Sequence, residues 1–322
     1  MPAAADRFTS VVIIANPRAG TTSPAVVADI ARRCARRIPD VRSFWTAGRG
    51  DGVRLARAVA AADGASVLVI AAGGDGTVRE VVEGLVQGTP PGAAPPVLAV
   101  VPVGTGNSNY LAQWGEVPWT DALEALLEPA ADGPVRAEIR WLDLYRLAET
   151  SELILLGACS GLVAEALGVA AGIELTGRAR YREALTRAAA RHRPYAGRVE
   201  VDGDVVHEGP TILANVGGGR YRGGIARLLP FSVLDDGYLD VCVIDATVPA
   251  EQVPELITDG GHIGRPGVVY ARGKRVTISS TDHTPVPFEH DGELVRGDHR
   301  RFTVEVLAAA LPVACHAGRP VG

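Results

Sequence analysis

The sequence predicts a two-part fold: an N-terminal α/β domain on a doubly wound parallel sheet, then a C-terminal β-rich, β-sandwich-like domain, with a ligand cleft between them. Three observations predict it. Continuous apolar runs at Val11 to Ala15, Ser66 to Ala72 and Val97 to Pro102 alternate with helix-spaced stretches, as strands buried on both faces do. Each run ends in a loop rich in Gly, Asn or Thr. After about residue 135 the texture changes to alternating β segments. The expected division is 1–135 for the first domain and 136–322 for the second, with the C-terminal tail packing back on the first.

A chain of 322 residues, 47% hydrophobic and 21% charged, is long enough for two buried cores. A formal net charge of −5 argues against a general nucleic-acid binder, which needs a cationic footprint. Cys34, Cys159, Cys242 and Cys315 are widely spaced in mostly apolar stretches, so buried reduced thiols are expected rather than a zinc site or disulfides. Met1 to Arg7 lead into a strand without a basic region and apolar block, so no signal peptide is expected. The apolar region Leu153 to Ile173 is broken by Glu165 and glycines and reads as a strand followed by a helix, not a membrane span. The expected location is cytoplasmic, with at most peripheral contact at a membrane surface.

In chain order, Val11 to Ala15 is a buried strand ending in Asn16-Pro17-Arg18-Ala19-Gly20. Ser23 and Pro24 make a helix start, and Val27, Ile30, Cys34 and Ile38 mark its inner face. Its arginines, Arg32, Arg33, Arg36 and Arg37, fit a solvated face. A short strand over Val41 to Phe44 is followed by Thr46, then a helix over Gly52 to Ala62. The strand Ser66 to Ala72 runs into Gly73-Gly74-Asp75-Gly76-Thr77 and an amphipathic stretch to Val86, with Gly88 as a stop.

Strand, glycine turn and helix together suit a phosphate. Glycines remove the Cβ atoms that would keep a triphosphate from main-chain N–H groups, and the helix that follows points its positive end at the anion. A carboxylate beside a phosphate repels it unless a cation intervenes, so Asp75 is expected to hold Mg2+, directly or through water, or to take a proton. Thr77-Val78-Arg79-Glu80 also spells a capping box, in which Thr77 starts the helix. The strand Val97 to Pro102 enters another glycine turn, Gly104-Thr105-Gly106-Asn107.

Beyond a helix near Thr120 to Leu127 and a loop at Pro129 to Pro134, β segments are expected at Val135 to Leu147, Leu153 to Ala158, Arg198 to Val206, Thr211 to Val216, Tyr238 to Ile244, Val276 to Ser279 and Phe302 to Val306. A helix near Arg178 to Ala190 interrupts them.

The blocks Asn16 to Gly20, Gly73 to Thr77, Pro102 to Asn107, Asp235-Asp236-Gly237-Tyr238-Leu239-Asp240 and Asp291-Gly292-Glu293 occur in an order and spacing that resembles the diacylglycerol kinase catalytic-domain family. That family includes soluble bacterial lipid kinases and the sphingosine and ceramide kinases. The resemblance implies that Asn16, Pro17, Arg18, Ala19, Gly20, Thr46, Gly73, Gly74, Asp75, Gly76, Thr77, Val78, Arg79, Glu80, Thr105, Gly106 and Asn107 line an ATP site. It implies a Mg2+ loop with the Asp236 side chain and the carbonyls of Val233 and Tyr238 as ligands, and Glu293 as general base, with Asp75 the other catalytic candidate. Asn107-Ser108-Asn109-Tyr110 departs from the family, which often carries an acid after the asparagine. Val201-Asp202-Gly203-Asp204 looks like the Asp291 block but precedes the metal loop and is read as structural.

The function these readings imply is ATP- and Mg2+-dependent phosphorylation of a lipid alcohol of diacylglycerol or sphingoid type, at a membrane surface, by a chain that allows a homodimer. The alternatives are an NAD kinase-like enzyme, which shares the Gly-Gly-Asp-Gly-Thr turn, and a catalytically silent lipid-binding protein on the same fold.

Overall fold

A computed structural model describes residues 7–128, 133–318 and 321–322. The expectations placed on 1–6 (no leader), on the first part of the loop at 129–132 and on 319–320 of the tail lie outside the described residues. The chain divides into two compact units: residues up to Leu142 with Ala309–Val321, and Asp143–Ala308 with Gly322.

The first unit is an α/β layer. Its elements are β1 (Ser10–Ala15), α1 (Pro24–Ala35), β2 (Asp40–Trp45), α2 (Asp51–Asp63), β3 (Val67–Gly73), α3 (Asp75–Gly88), β4 (Val97–Pro102), α4 (Ser108–Trp114) and α5 (Trp119–Leu127). The strands lie in the order β2-β1-β3-β4, all parallel, with Ser10 opposite both Asp40 and Val67, and Leu68 opposite Val97. Every residue of β1 and β3 is buried, which is why both read as unbroken apolar runs, whereas β2 at the edge is mostly exposed. Ser23 caps α1 through a hydrogen bond from the Val26 N–H (3.3 Å), and Val27, Ile30 and Cys34 form its buried face. Gly88 is the last residue of α3 rather than a stop beyond it. A Cβ there would fall 2.4 Å from the Arg57 carbonyl oxygen, so its bareness serves the close packing of α2 on α3.

The second unit is β-rich. It holds β6 (Leu153–Ile154), β7 (Gly157–Gly161), α6 (Leu162–Ala170), α7 (Gly177–Ala189), β8 (Tyr195–Val201), β9 (Asp204–Gly217), β10 (Leu239–Asp245), α8 (Val253–Leu256), β11 (Val268–Gly273), β12 (Arg275–Ser280), β13 (Phe288–His290) and β14 (Glu293–Leu294). Two further strands cross the unit boundary in sequence, β5 (Ala137–Leu147) before these and β15 (Arg301–His316) after them. The part of β15 from Ala309 belongs to the first unit, where Val313 pairs in parallel with Leu98 of β4.

β9 organises the second unit. Its first half pairs with β8, and through β8 with β12 and β15. Its second half is flanked by β7 on one side and β10 on the other. The long strand thus links these neighbours in one continuous hydrogen-bonded sheet, and Phe288 of β13 stacks on Phe302 of β15 with ring centroids 4.0 Å apart. A single apolar cluster under α6 and α7 includes Leu162, Val163, Tyr181, Leu185, Ile212 and Leu213.

The fold class matches the sequence reading, with local differences. The strand expected over Arg198 to Val206 is a hairpin broken at Asp202 and Gly203, both with positive φ (52° and 97°). Leu153 to Ala158 is two short strands separated by Leu155 and Leu156. The helix α4 carries no sequence cue of its own, because the group that holds its start comes from a distant loop.

Candidate active site

In the first unit the carboxyl ends of β1, β3 and β4 bring three sequence blocks together. The Asn16 side chain works in two directions. Its Oδ1 accepts from the Arg18 N–H at 2.9 Å, fixing the turn before Ala19, while its Nδ2 donates to Thr77 Oγ1 at 3.0 Å. The Thr21 N–H donates to the Val103 carbonyl at 2.9 Å, and a Cβ on Gly20 would fall 2.6 Å from that same oxygen. Thr46 is buried at the end of β2, its N–H on the Ala15 carbonyl, whereas Pro17 and Arg18 are exposed.

The glycines of the second and third blocks serve different ends. A Cβ at Gly73 would fall 2.4 Å from the Thr77 side chain, and one at Gly104 would fall 2.3 Å from Gly74 Cα, so these two allow close packing. A Cβ at Gly76 would meet nothing within 4 Å. Gly76 and Asp75 open α3, where main-chain N–H groups have no helical carbonyl one turn earlier. The Thr77 N–H already donates to the Gly74 carbonyl at 2.9 Å. The available donors are thus narrower than the expected Gly73 to Thr77 span and centre on Gly74 to Gly76.

The helix starts at Asp75 with Gly74 at the N-cap, so the capping box centred on Thr77 does not form. Thr77 and Val78 are buried inside the first turns and Arg79 is half-buried. Glu80 reaches the start of α2 instead, accepting from the Gly50 N–H at 2.8 Å and the Gly52 N–H at 3.0 Å.

Asp75 is turned onto α4. Its Oδ1 accepts from the Asn109 N–H (2.9 Å) and Nδ2 (3.0 Å), and its Oδ2 from the Ser108 N–H (3.0 Å). A carboxylate offers about four lone-pair directions, and three are occupied. Any role with a metal or proton falls to a group already fixed in place. The position occupied by Ser108 anchors Asp75 through its main chain. Asn107, at φ 56°, closes the third block by accepting from the Gly104 N–H and donating to the carbonyls of Pro102 and Gly104. Thr105 and Gly106 are exposed at its tip.

In the second unit the expected metal loop lies before β10. Asp236 Oδ1 accepts from the Tyr238 N–H at 3.1 Å and its Oδ2 pairs with Arg272. The Arg272 guanidinium also lies 4.9 Å from the Tyr238 ring centroid. Asp143 Oδ2 accepts from the Gly237 N–H at 2.7 Å. Asp240 is only 1% exposed and lies beside the Tyr270 hydroxyl, with Arg272 Nε 3.6 Å away. Burial pushes its carboxyl above the ordinary range. Among the described residues no group of three or more His, Cys, Asp or Glu side chains could hold a metal ion, so a Mg2+ here would rest on Asp236 with main-chain oxygens, the hard ligands it prefers. Such an ion would compete with Arg272 for Asp236. Sequence reasoning quoted Asp240 without a role and missed Asp143 and Arg272.

The last block is a tight turn between β13 and β14, with Asp291 at φ 47° and Gly292 at φ 83°. The Asp291 carboxylate accepts from the N–H groups of Leu155 (2.7 Å), Leu156 (2.9 Å) and Gly157 (3.3 Å). Asp202, in the look-alike turn, accepts from Lys274 and Arg275 N–H groups in the same manner. The aspartates of both turns are therefore structural clasps, and Glu293 follows its clasp at half-buried depth, opposite His290. The buried acid Glu289, two residues before Asp291, was missed. No pattern in the sequence singles it out, since the short strand that holds it is Phe288-Glu289-His290 and all three residues are buried.

Comparison with known proteins agrees with the family resemblance. A diacylglycerol kinase catalytic domain is recognised over residues 10–133 and a YegS C-terminal NAD kinase beta sandwich-like domain over 158–315. The chain is 30% identical over 283 residues to a Chromohalobacter salexigens protein named probable lipid kinase YegS-like, covering 86% of this chain and 84% of that one. It is 32% identical over 308 residues to a Pseudomonas aeruginosa protein of the same name, covering 90% and 89%. Among solved structures, a diacylglycerol kinase from Bacillus anthracis superposes with a TM-score of 0.68 at 22% identity, over 95% of this chain and 97% of that one. No described helix is long and apolar enough to cross a membrane.

Proposed function

This chain belongs to the diacylglycerol kinase catalytic-domain family, and from that premise we propose that it transfers the γ-phosphoryl group of ATP to a hydroxyl of a lipid alcohol. The observation that carries the reading is the joining of the Asn16, Gly74 and Gly104 loops at the strand ends of the first unit, around a main chain bare at Gly76.

In this scheme the N–H groups of Gly74 to Gly76 bind phosphate oxygens, and the start of α3 adds its positive end. Asn16 and Thr77 hold the first two loops in register. Asp75 holds α4 and the third loop to the second. Glu293 accepts the proton of the attacking hydroxyl as the new O–P bond forms and the bond to the β-phosphate bridging oxygen breaks, releasing ADP. Asp236, with the Val233 and Tyr238 carbonyls and Asp240 beside it, would hold Mg2+. The ion supplies charge neutralisation in phosphoryl transfer. The acceptor is a diacylglycerol or sphingoid alcohol, met at a membrane surface.

The experiment is a panel assay. Protein, γ-labelled ATP and Mg2+ are incubated with diacylglycerol, monoacylglycerol, ceramide, sphingosine or NAD in detergent micelles. Label in one or more lipids, with at least a hundredfold loss in Glu293→Gln, is expected from a general base worth roughly 10²- to 10⁴-fold. Label in NAD alone would replace the lipid acceptor by a nucleotide, and equal rates in Glu293→Gln would remove Glu293 from the chemistry.

A further inference from the structure

Beneath the Asp291-Gly292-Glu293 turn lies a buried polar cluster that the scheme above does not use. Glu289 is 1% exposed in β13. Its Oε2 accepts from the Gly292 N–H at 2.9 Å, so the side chain reaches forward to hold the residue directly before Glu293. Its Oε1 has no hydrogen-bond partner and faces Arg222 Nε at 3.8 Å. Arg222 is itself buried. Its Nε donates to Asn215 Oδ1 at 3.0 Å, and its terminal nitrogens donate to the carbonyls of Tyr221, Val216 and Leu156. Leu156 in turn gives its N–H to Asp291. Two routes therefore tie Arg222 to the turn, one through Glu289 and Gly292, the other through Leu156 and Asp291.

The cluster is expensive to bury and hard to explain as packing. A carboxylate and a guanidinium stand close in an apolar interior without closing a hydrogen bond. The other groups facing Glu289 are Cys159 across the β7–β13 pair, the Tyr181 phenol from α7 and the Asp291 carboxylate, and His290 is its chain neighbour. An apolar residue at 289 would spare the charge but release the Gly292 N–H.

We propose that Glu289, set against Arg222, is a positioning residue for Glu293: its carboxylate holds the Gly292 amide, and the strength of that hold depends on whether Glu289 carries its charge. The proposal rests on the reading of Glu293 as proton acceptor. Burial pushes the Glu289 carboxyl up to about 7, against the pull of Arg222 and of the Gly292 hydrogen bond, with Asp291 raising it further. Ionised Glu289 accepts a charge-assisted bond from Gly292, and the neutral acid accepts a weaker one. The turn is then held more firmly as pH rises through neutrality.

The test reads the turn directly. In the full chain, amide exchange at Gly292 is followed by NMR between pH 6 and 8 and corrected for the intrinsic rate. Wild type should show protection rising about tenfold with a midpoint near 7, the gain expected when an acceptor becomes charged. Glu289→Gln should be flat over the same range. Phosphorylation rates measured in parallel should rise with the same midpoint in wild type and lose that inflection in Glu289→Gln. Arg222→Lys, made with Glu289 intact, keeps a positive charge but alters its geometry, and should move the midpoint of the protection step if Arg222 and Glu289 act as a pair. A wild-type Gly292 amide whose protection is independent of pH overturns the proposal even if the variants fail to fold. A protection step without any phosphorylated lipid leaves the positioning intact and overturns the kinase reading instead.

Discussion

Asp75 on the first turn of α3 and Asn109 on the first turn of α4 meet twice: Oδ1 of the aspartate accepts both the main-chain N–H and the side-chain Nδ2 of the asparagine, at 2.9 and 3.0 Å. The second and third glycine blocks are thereby one structural unit. The acid in the Gly-Gly-Asp-Gly-Thr turn caps a helix more than thirty residues away.

Removing that cap should cost stability before it costs chemistry. Asp75→Ala leaves the Ser108 and Asn109 N–H groups without their acceptor, and about 2 kcal/mol should be lost in urea denaturation. Asp75→Asn keeps the shape and one acceptor oxygen, and should lose about half as much. If both variants match wild type in stability while activity falls, Asp75 acts on the reacting groups and not through α4.

The glycines separate by purpose. Gly104→Ala would set a Cβ 2.3 Å from Gly74 Cα, a main-chain clash, and should destabilise the fold by about 1–3 kcal/mol. Gly76→Ala meets open space inside a helix and should stabilise it by up to about 1 kcal/mol. The same methyl should weaken ATP binding at least tenfold by calorimetry if phosphate oxygens approach the Gly76 amide. Unchanged ATP affinity in Gly76→Ala would move the phosphates elsewhere.

Glu289 makes stability depend on pH with a definite sign. Its folded-state pKa, about 7, lies above its ordinary value of 4.5, so the native chain holds a proton that the unfolded chain releases between them. Stability is therefore lost as pH rises through that window, on the order of 3 kcal/mol for this group. Comparing Tm at pH 5 and pH 8, Glu289→Gln should show a smaller fall than wild type. Parallel falls in the two proteins would contradict the assignment.

Arg272 and a divalent ion compete for Asp236. Arg272→Gln frees Oδ2 of Asp236 and removes the positive charge beside Asp240, so Mg2+ should bind more tightly, by severalfold in a calorimetric titration. Weaker binding would mean that Arg272 orders the loop for the ion rather than opposing it.

Much of this was legible in the sequence because single segments encode it. The buried runs of β1, β3 and β4, the Ser23-Pro24 helix start and the Asp-Gly turns announce themselves locally. What stayed hidden is long-range. Nothing near Ser108 reveals that Asp75 caps its helix, and Thr77 and Glu80 spell a capping box yet bond to Asn16 and to the start of α2. The Asp202 and Asp291 turns are alike in sequence and in their clasping bonds, so only the neighbouring residues separate them. Glu289 and Arg222 lie 67 positions apart (289 minus 222), and only the folded β-rich unit makes them partners.

Transfer of the γ-phosphate to a lipid hydroxyl can be observed directly. Total lipid extract incubated with the protein, Mg2+ and ATP carrying 18O in its γ-phosphate, then resolved by mass spectrometry, tests it without assuming an acceptor. Lipid species that gain a labelled phosphate are expected with wild type and should fail to appear with Glu293→Gln. A lipid profile identical with and without the protein, while ATP is bound, would contradict it.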